Sequence, residues 1–319
     1  MELSCGLPPR PDLPELAMLA EQLGYSRLWL FDSAPLWEDT FIHLALAAQR
    51  TTRIGLATAV LTPGQRSAIT TASAIATVAR LAPERLRCAF GTGFTARIAA
   101  GEKPAPLDVL RTHMNDVRAL LAGEAIDVHG RPQRMMHFAD MATPRPIEVP
   151  LWVSVFGPVG RSTATSFADG VIVYGVPHPE LPSAEMVSGT VLDDGEDPRG
   201  ERARRAVAPW RVAPWHMTYA SAGEAVDLMP GGFQWRQLLE AQAPPSHRHL
   251  LTFEGHVTHV LPRDETLFTH ADFTTMVGPV EQLRESMAAK ADAGVDEIIY
   301  TPSGPDVARE LRVFRAVAN

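Results

Sequence analysis

The sequence predicts an α/β fold, and within that class a closed (β/α)8 barrel (TIM barrel) with an insertion near the C-terminal strands. Apolar runs alternate with amphipathic stretches along most of the chain, and this alternation is typical of a parallel sheet covered by helices. The chain has 319 residues, which suits one barrel of about 250 residues plus an insertion. The stretch 193–273 breaks the alternation and is rich in Pro, Trp and His. A doubly wound open sheet is the architectural alternative.

Each predicted strand is a short apolar run that ends near a glycine, a proline or a polar residue. In chain order the predicted strands are Glu2–Gly6, Ser26–Phe31, Ile54–Val60, Leu86–Phe90, Leu151–Val155, Val171–Tyr174, Val187–Leu192 and Ile298–Tyr300. Helices are predicted where apolar residues recur at three- and four-residue spacing, over Pro14–Leu23, Thr40–Gln49, Ile69–Leu81 and Leu107–Leu121. We therefore expect a single domain over 1–319, in which the insertion 193–273 shapes the substrate pocket.

Composition and charge narrow the possible partners. Hydrophobic residues make up 45% of the chain and charged residues 21%, and the formal net charge is −8. An acidic surface argues against nucleic acid or an anionic membrane as the main partner. The N-terminus has no signal-peptide pattern, and Cys5 and Cys88 are the two cysteines. We expect a cytoplasmic protein with reduced thiols, no metal site and no membrane association.

A glycine turn follows the fourth predicted strand. The run Leu86–Phe90 ends in Gly91-Thr92-Gly93, and Arg97 follows four residues after the second glycine. In barrel enzymes the chemistry lies in the loops after the strands. Glycines there allow backbone N–H groups to approach a phosphate or a flat ring, and an arginine can bind phosphate with two donors. An ordinary tight turn is the simpler interpretation.

Six separated segments resemble one family in order and spacing. They are AEQLGYSRLWLFDS, TTRIGLATAVLTPGQR, ATVARLAPERLRCAFGTGF, VPLWVSVFGP, FADGVIVYG and AGVDEIIY. The chain is thereby similar to the bacterial luciferase-like superfamily, whose members are barrel enzymes that use reduced flavin mononucleotide (FMN) or the deazaflavin coenzyme F420. The resemblance covers Met1 to about Gly175 and Val277 to the end. The span between them should determine which substrate is bound.

The resemblance implies a cofactor site. It places a non-proline cis peptide at Ala59-Val60 behind the central ring, with Thr62 at the strand's mouth. It assigns the phosphate to two loops, and Tyr174, Gly175 and Asp32 to the same cavity. The implied phosphate ligands are Gly91, Thr92, Gly93, Arg97, Phe156, Gly157, Pro158, Val159 and Gly160. The alternative for Ala59 is a residue that fills the barrel, and the alternative for Asp32 is a cap of the next helix.

Two positions depart from the family pattern. Many relatives carry a histidine directly after the second-strand aspartate, where this chain has Ser33. The deazaflavin-dependent sugar-phosphate dehydrogenases carry an acidic residue after the glycine turn, where this chain has Phe94. A phenylalanine cannot donate a proton, so sugar-phosphate chemistry is in doubt for this chain.

Two histidines in the insertion are the candidate catalytic residues. His216 and His256 lie in an otherwise apolar segment, and histidine titrates near neutral pH. The alternative is that both are packing or surface residues in a histidine-rich region.

From the resemblance we expect a luciferase-like monooxygenase that uses reduced FMN and oxygen on a small organic substrate. The first alternative is an F420-dependent reductase or dehydrogenase, and a more distant one is a barrel that binds flavin without catalysis. The expected partners are the substrate, a second copy in a homodimer, and a separate flavin reductase.

Overall fold

The computed structural model describes residues 1–138, 140–267 and 275–318. The strands in this part of the chain are β1 (Glu2–Leu7), β2 (Arg27–Leu30), β3 (Gly55–Leu61), β4 (Leu86–Gly91), β5 (Ile126–Val128), β6 (Arg131–Gln133), β7 (Leu151–Ser154), β8 (Val171–Val173), β9 (Ser183–Val191), β10 (Thr275–Gly278) and β11 (Glu297–Tyr300). Eight of the described strands, namely β1 to β4, β7 to β9 and β11, pair in parallel, and the β8–β9 and β9–β11 pairings close them into a barrel. The TIM-barrel prediction is confirmed, and the open sheet is wrong.

Helices cover the outside of the barrel and form most of the insertion. They are α1 (Leu13–Leu23), α2 (Thr40–Arg50), α3 (Ala68–Leu81), α4 (Phe94–Ala99), α5 (Leu107–Ala122), α6 (Pro158–Thr163), α7 (Glu201–Ala222), α8 (Gly232–Glu240), α9 (His249–Thr252), α10 (Val280–Asp292) and α11 (Val307–Arg315). The apolar faces of the outer helices pack on the outward side chains of the strands in one continuous core. In the described part of the chain, no helix is long and apolar enough to cross a membrane.

The structure differs from the sequence prediction near the insertion. Strand β9 begins at Ser183 rather than Val187, because its polar start is buried: Glu185 is 4% exposed and pairs with Lys290 of α10. The short strand β10 has no counterpart in the prediction and pairs with the second half of β9. The predicted end of the insertion at residue 273 lies outside the described residues, so the boundaries of the insertion stay a prediction.

The barrel interior is filled by large and small side chains in alternation. One buried cluster joins seven of the barrel's residues: Trp29, Ala57, Ala89, Trp152, Ile172, Ala184 and Ile299. The two indole rings lie 5.9 Å apart between centroids. Alanines on β3 and β4 leave the volume that these rings occupy, as expected for a packed barrel rather than a pore.

A charged cluster closes the N-terminal end of the barrel below the indoles. Glu297, which is 2% exposed, accepts a hydrogen bond from Trp29 Nε1 at 2.7 Å. The same carboxylate pairs with Arg87 Nη1 at 2.7 Å and lies 3.8 Å from Arg27 Nε. The Arg87 guanidinium also lies 4.1 Å from the centroid of the Trp152 ring. One buried carboxylate thus compensates two arginines and fixes one indole.

We expect Glu297→Gln to lower the free energy of unfolding by about 3 kcal/mol, because removal of one partner leaves buried charge unpaired. The substitution conserves volume, so packing is little changed. Equilibrium denaturation in urea measures the effect, with Glu148→Gln at an exposed position as the control. Equal stabilities of the two variants would show that the charge cluster contributes nothing net.

Candidate active site at the barrel mouth

The two predicted glycine loops are neighbours in space. Strands β4 and β7 pair in parallel, with Gly91 opposite Ser154 at their C-terminal ends. The turn Gly91–Gly93 and the loop Phe156–Gly160 therefore emerge side by side at the barrel mouth. The sequence predicts both loops at the barrel mouth, and the parallel register of β4 and β7 explains why they are neighbours.

The first turn requires both of its glycines. A Cβ on Gly91 would lie 2.7 Å from Val60 Cγ2, and Gly93 has φ +79° with Thr62 and Arg97 directly beside it. The Ala59-Val60 peptide is cis, as the resemblance implies, and the β3–β4 register shifts between Thr58 and Leu61. The contact between β3 and β4 leaves no room for a side chain at either glycine.

Thr62 and Arg97 differ in how fully their polar atoms are used. Thr62 is 3% exposed, and its Oγ1 has no hydrogen-bond partner among the described residues. Arg97 donates to the carbonyls of Pro63 at 3.0 Å and Lys103 at 2.7 Å and pairs with Glu102 at 2.7 Å. Its guanidinium ties the loop after β3 to the segment after α4, and a role as phosphate ligand stays a prediction.

The second loop is open and largely apolar. Gly157 is the N-cap of α6, and no atom lies within 4 Å of a Cβ built on Gly157 or on Gly175. Phe156 and Val159 are exposed, as is Pro158, whereas Gly160 is buried against Val155. Gly157 and Gly175 therefore border open space at the mouth.

Tyr174 stands beside this loop. Its ring lies 5.3 Å from that of Phe156, and its hydroxyl donates to the sulfur of Met186 at 3.0 Å. Desolvation raises the pKa of Tyr174 to about 12, although 52% of the residue surface is accessible.

Asp32 forms an ion pair with a residue that the sequence did not indicate. Arg66 bridges Asp32 and Asp39 with 2.6 Å contacts to both carboxylates. Burial raises the pKa of Asp32, and the Arg66 charge opposes that shift. The N-cap of α2 is Asp39, which accepts from the N–H groups of Phe41 and Ile42, so the alternative role of Asp32 as that cap is wrong.

The insertion covers the mouth with apolar side chains. One cluster, called the roof cluster below, joins the ends of β2, β3 and β9 to α7 and to the turn 255–258; its members are Phe31, Trp37, Ala59, Met186, Trp210, Ala213 and Val257. Beside it, Phe253 packs edge-on against Phe94 at 6.3 Å, directly after the glycine turn. The mouth is therefore enclosed on this side by the segment whose sequence resembles the family least.

The two candidate histidines lie in contact beneath the roof cluster. Their Nδ1 atoms are 3.2 Å apart, and His216 Nε2 lies 3.4 Å from Asp264 Oδ1. Asp264 Oδ1 also accepts from Trp235 Nε1 at 2.8 Å, and Oδ2 accepts from the Leu261 N–H at 3.0 Å. The Phe253 ring lies edge-on to His256 at 5.0 Å. Phe253 thus links His256 to Phe94 beside the glycine turn, and Asp264 is at the other end of this series of contacts.

Burial and hydrogen bonding control the charge states of His256 and Asp264. Desolvation, with the neighbouring His216, lowers the pKa of His256 well below its ordinary value. Burial by itself would raise the pKa of Asp264, but hydrogen bonds and charge from His216 and the bond from Trp235 outweigh it and lower the pKa. At neutral pH, His256 is therefore neutral and Asp264 is ionised.

Sequence reasoning missed Asp264, Arg66 and Phe253. Asp264 lies 48 residues from His216 in a polar segment with no recognisable motif, and only the fold brings them together. Arg66 follows the third strand and carries no spacing signal relative to Asp32. In the sequence, Phe253 is indistinguishable from a core residue.

Comparisons with known proteins agree with this architecture. Over 191 residues, the chain is 29% identical to 5,10-methylenetetrahydromethanopterin reductase of Methanolobus tindarius, covering 57% of this chain and 56% of that protein. Over 207 residues, it is 28% identical to F420-dependent glucose-6-phosphate dehydrogenase of Nakamurella multipartita, covering 60% of this chain and 59% of that protein. The matches thus span little more than half the length of these relatives.

A solved structure is similar over the whole chain. An F420-dependent secondary alcohol dehydrogenase superposes with a TM-score of 0.68 at 17% identity, covering 99% of this chain and 97% of that one. At this identity the likeness concerns the fold. The family model for luciferase-like monooxygenases matches residues 4–189, which include both glycine loops and the cis peptide. This chain therefore belongs to the luciferase-like monooxygenase family of oxidoreductases.

Proposed function

We propose that this protein is an F420-dependent oxidoreductase that acts by hydride transfer on a small, largely apolar organic substrate. The observation that carries the choice of cofactor is that the curated relatives named above include an F420-dependent dehydrogenase, whereas the sequence alone favoured FMN and oxygen. The deazaflavin alternative is thus better supported than the monooxygenase.

The residues at the mouth fit such a cofactor. Gly91 and Gly93 let backbone approach where any side chain would collide, and the buried Thr62 hydroxyl beside them has no partner among the described residues. Gly157 and Gly175 border open space beside them. We assign the phosphate to the two glycine loops and the ring to the space above Val60. When bound, the deazaflavin supplies two-electron hydride chemistry.

The substrate should differ from a sugar phosphate. Phe94 stands where the sugar-phosphate dehydrogenases have an acidic residue, and it packs against Phe253 rather than offering a polar atom. The roof cluster adds further apolar surface. A binding space lined in this way favours a small ligand with few charged groups.

The chain's own chemical contribution is proton transfer and exclusion of water. Neither Ser33 nor Phe94 is an acid or a base at neutral pH, so the proton that accompanies hydride transfer must move through another group. We assign that role to His256, with His216 in contact with it, because His256 is linked to the glycine turn through Phe253 and Phe94 and directly precedes Val257 of the roof cluster. The roof cluster keeps bulk water from the reacting atoms.

Gly93→Ala should weaken F420 and FMN binding at least tenfold, because the new methyl displaces Thr62 and Arg97. The matched control is Gly130→Ala in the β5–β6 turn: Gly130 has φ +76°, nearly that of Gly93, but has no atom within 4 Å of an added Cβ. Both variants carry the same backbone strain, about 1–2 kcal/mol. Fluorescence titration with FMN and with riboflavin separates the phosphate from the ring, and equal losses for both ligands would contradict the phosphate assignment.

The wild-type protein should bind F420 more tightly than FMN and should reduce F420 under strict anaerobiosis with a member of a panel of primary and secondary alcohols. Parallel titrations and absorbance of the cofactor measure this. Tighter binding of FMN, together with oxygen uptake that requires substrate, would overturn the proposal in favour of the monooxygenase.

His256→Ala should lower turnover by about 10²–10⁴-fold with little change in cofactor affinity, the range expected for a general acid or base. His216→Ala should act similarly, and the double variant should lose less than the product of the two. The control is His259→Ala, an exposed histidine in the same segment. Full activity of His256→Ala would return both histidines to a packing role.

A further inference from the structure

Asp264, His216 and His256 form a series of hydrogen-bonded side chains, and their contacts determine which ring nitrogen carries the hydrogen. Asp264 is 0% exposed, and both of its oxygens already accept hydrogen bonds from N–H groups, those of Trp235 and Leu261. An ionised carboxylate only accepts hydrogen bonds. The His216 nitrogen that faces it, Nε2 at 3.4 Å, must therefore carry a hydrogen, since a lone pair in that position would be repelled.

The hydrogen on His216 Nε2 determines the next contact. In the state in which His216 is neutral, it carries one hydrogen, so its Nδ1 is then an acceptor. It faces His256 Nδ1 at 3.2 Å, and a hydrogen bond there requires the hydrogen to lie on His256 Nδ1. The remaining nitrogen of His256, Nε2, is left with its lone pair and has no partner among the described residues.

The backbone on either side of His256 adopts an uncommon conformation. Gly255 and Val257 both adopt left-handed φ values, +72° and +53°, on either side of it. For a β-branched residue this conformation is a genuine outlier, which the surroundings must compensate. Burial of the Val257 side chain in the roof cluster provides that compensation, and the His256 ring next to it contacts His216 and Phe253.

We infer that Asp264 is a positioning residue: acting through His216, it holds His256 in the tautomer whose Nε2 is unprotonated and free to accept a proton. The inference rests on the proposed function for its catalytic use. The substrate would then be one with an O–H bond next to the carbon that loses the hydride. That bond gives its proton to Nε2 and leaves its electron pair on oxygen to form the carbonyl, while the hydride goes to the cofactor.

The wild-type protein tests the tautomers directly. In a two-bond ¹H–¹⁵N spectrum of protein labelled in its histidine rings, we expect protonated Nδ1 for His256 and protonated Nε2 for His216. The signals are assigned by their loss in His256→Ala and in His216→Ala. A hydrogen on His256 Nε2 would overturn the inference, whatever the activity.

The variant Asp264→Asn should reverse or mix the two tautomers and lower kcat by about 10–100-fold, the range for outer groups that orient a catalytic side chain, with KM and F420 affinity little changed. The matched control is Asp227→Asn. Asp227 is a carboxylate of the same insertion, and it pairs with Arg236 rather than with His216 or His256. Unchanged tautomers in folded Asp264→Asn, or an equal fall in kcat for both variants, would contradict the role of Asp264. If Asp264→Asn does not fold, the wild-type spectrum still decides.

The two proposals fail separately. If the spectrum is as expected but the protein binds neither F420 nor FMN, the tautomer assignment stands and the proposed catalytic role is wrong. A reversed spectrum in an active F420-dependent enzyme would overturn the role of Asp264 alone.

Discussion

The close approach of β3 and β4 at their C-terminal ends is the constraint on which the candidate site depends. Val60 packs on Gly91, and Thr62 packs on Gly93, so both glycines are fixed by their neighbours rather than by turn geometry alone. The same contact encloses the Thr62 hydroxyl, which has no hydrogen-bond partner in the described part of the chain. Below it, alanines of the same two strands admit the indoles of Trp29 and Trp152. Small residues on these strands thus serve both the packing of the interior and access at the mouth.

Charge inside this fold is balanced by a few fully buried carboxylates. Glu297 compensates two arginines at the N-terminal end, and Asp32 pairs with Arg66 at the mouth. Asp264 differs from both because it faces neutral donors and a histidine rather than an arginine. A buried carboxylate without a cation keeps its electrostatic effect on the groups around it. This is why its contact with His216 affects protonation as well as packing.

The sequence predicted the barrel, its eight strands and both glycine loops, because apolar periodicity and glycine placement are local signals. It misplaced the start of β9 because Ser183 and Glu185 are polar and buried, and burial of paired polar groups has no local signature. The histidine pair was suggested by residue type, whereas its link to Asp264 depends on the packing of α7 against the turn 255–258. No sequence pattern encodes that packing. Arg97 shows that residue type alone does not establish a role. An arginine after a glycine turn suggests a phosphate ligand, but its contacts in the structure are with two carbonyls and Glu102.

Ser33 and Phe94 differ from the family pattern, and this difference is best understood together with the buried Asp264, His216 and His256 of the insertion. With Ser33 and Phe94 at the positions where relatives carry an acid or a base, and with Asp32 paired to Arg66, the histidines of the insertion are the remaining candidates for proton transfer near the mouth. The insertion also supplies the roof cluster that would contact a substrate. Proton transfer and substrate selection then reside in one segment, while the cofactor loops remain on the barrel. A change in the insertion would alter both properties at once, because Val257 of the roof cluster directly follows His256 in the sequence.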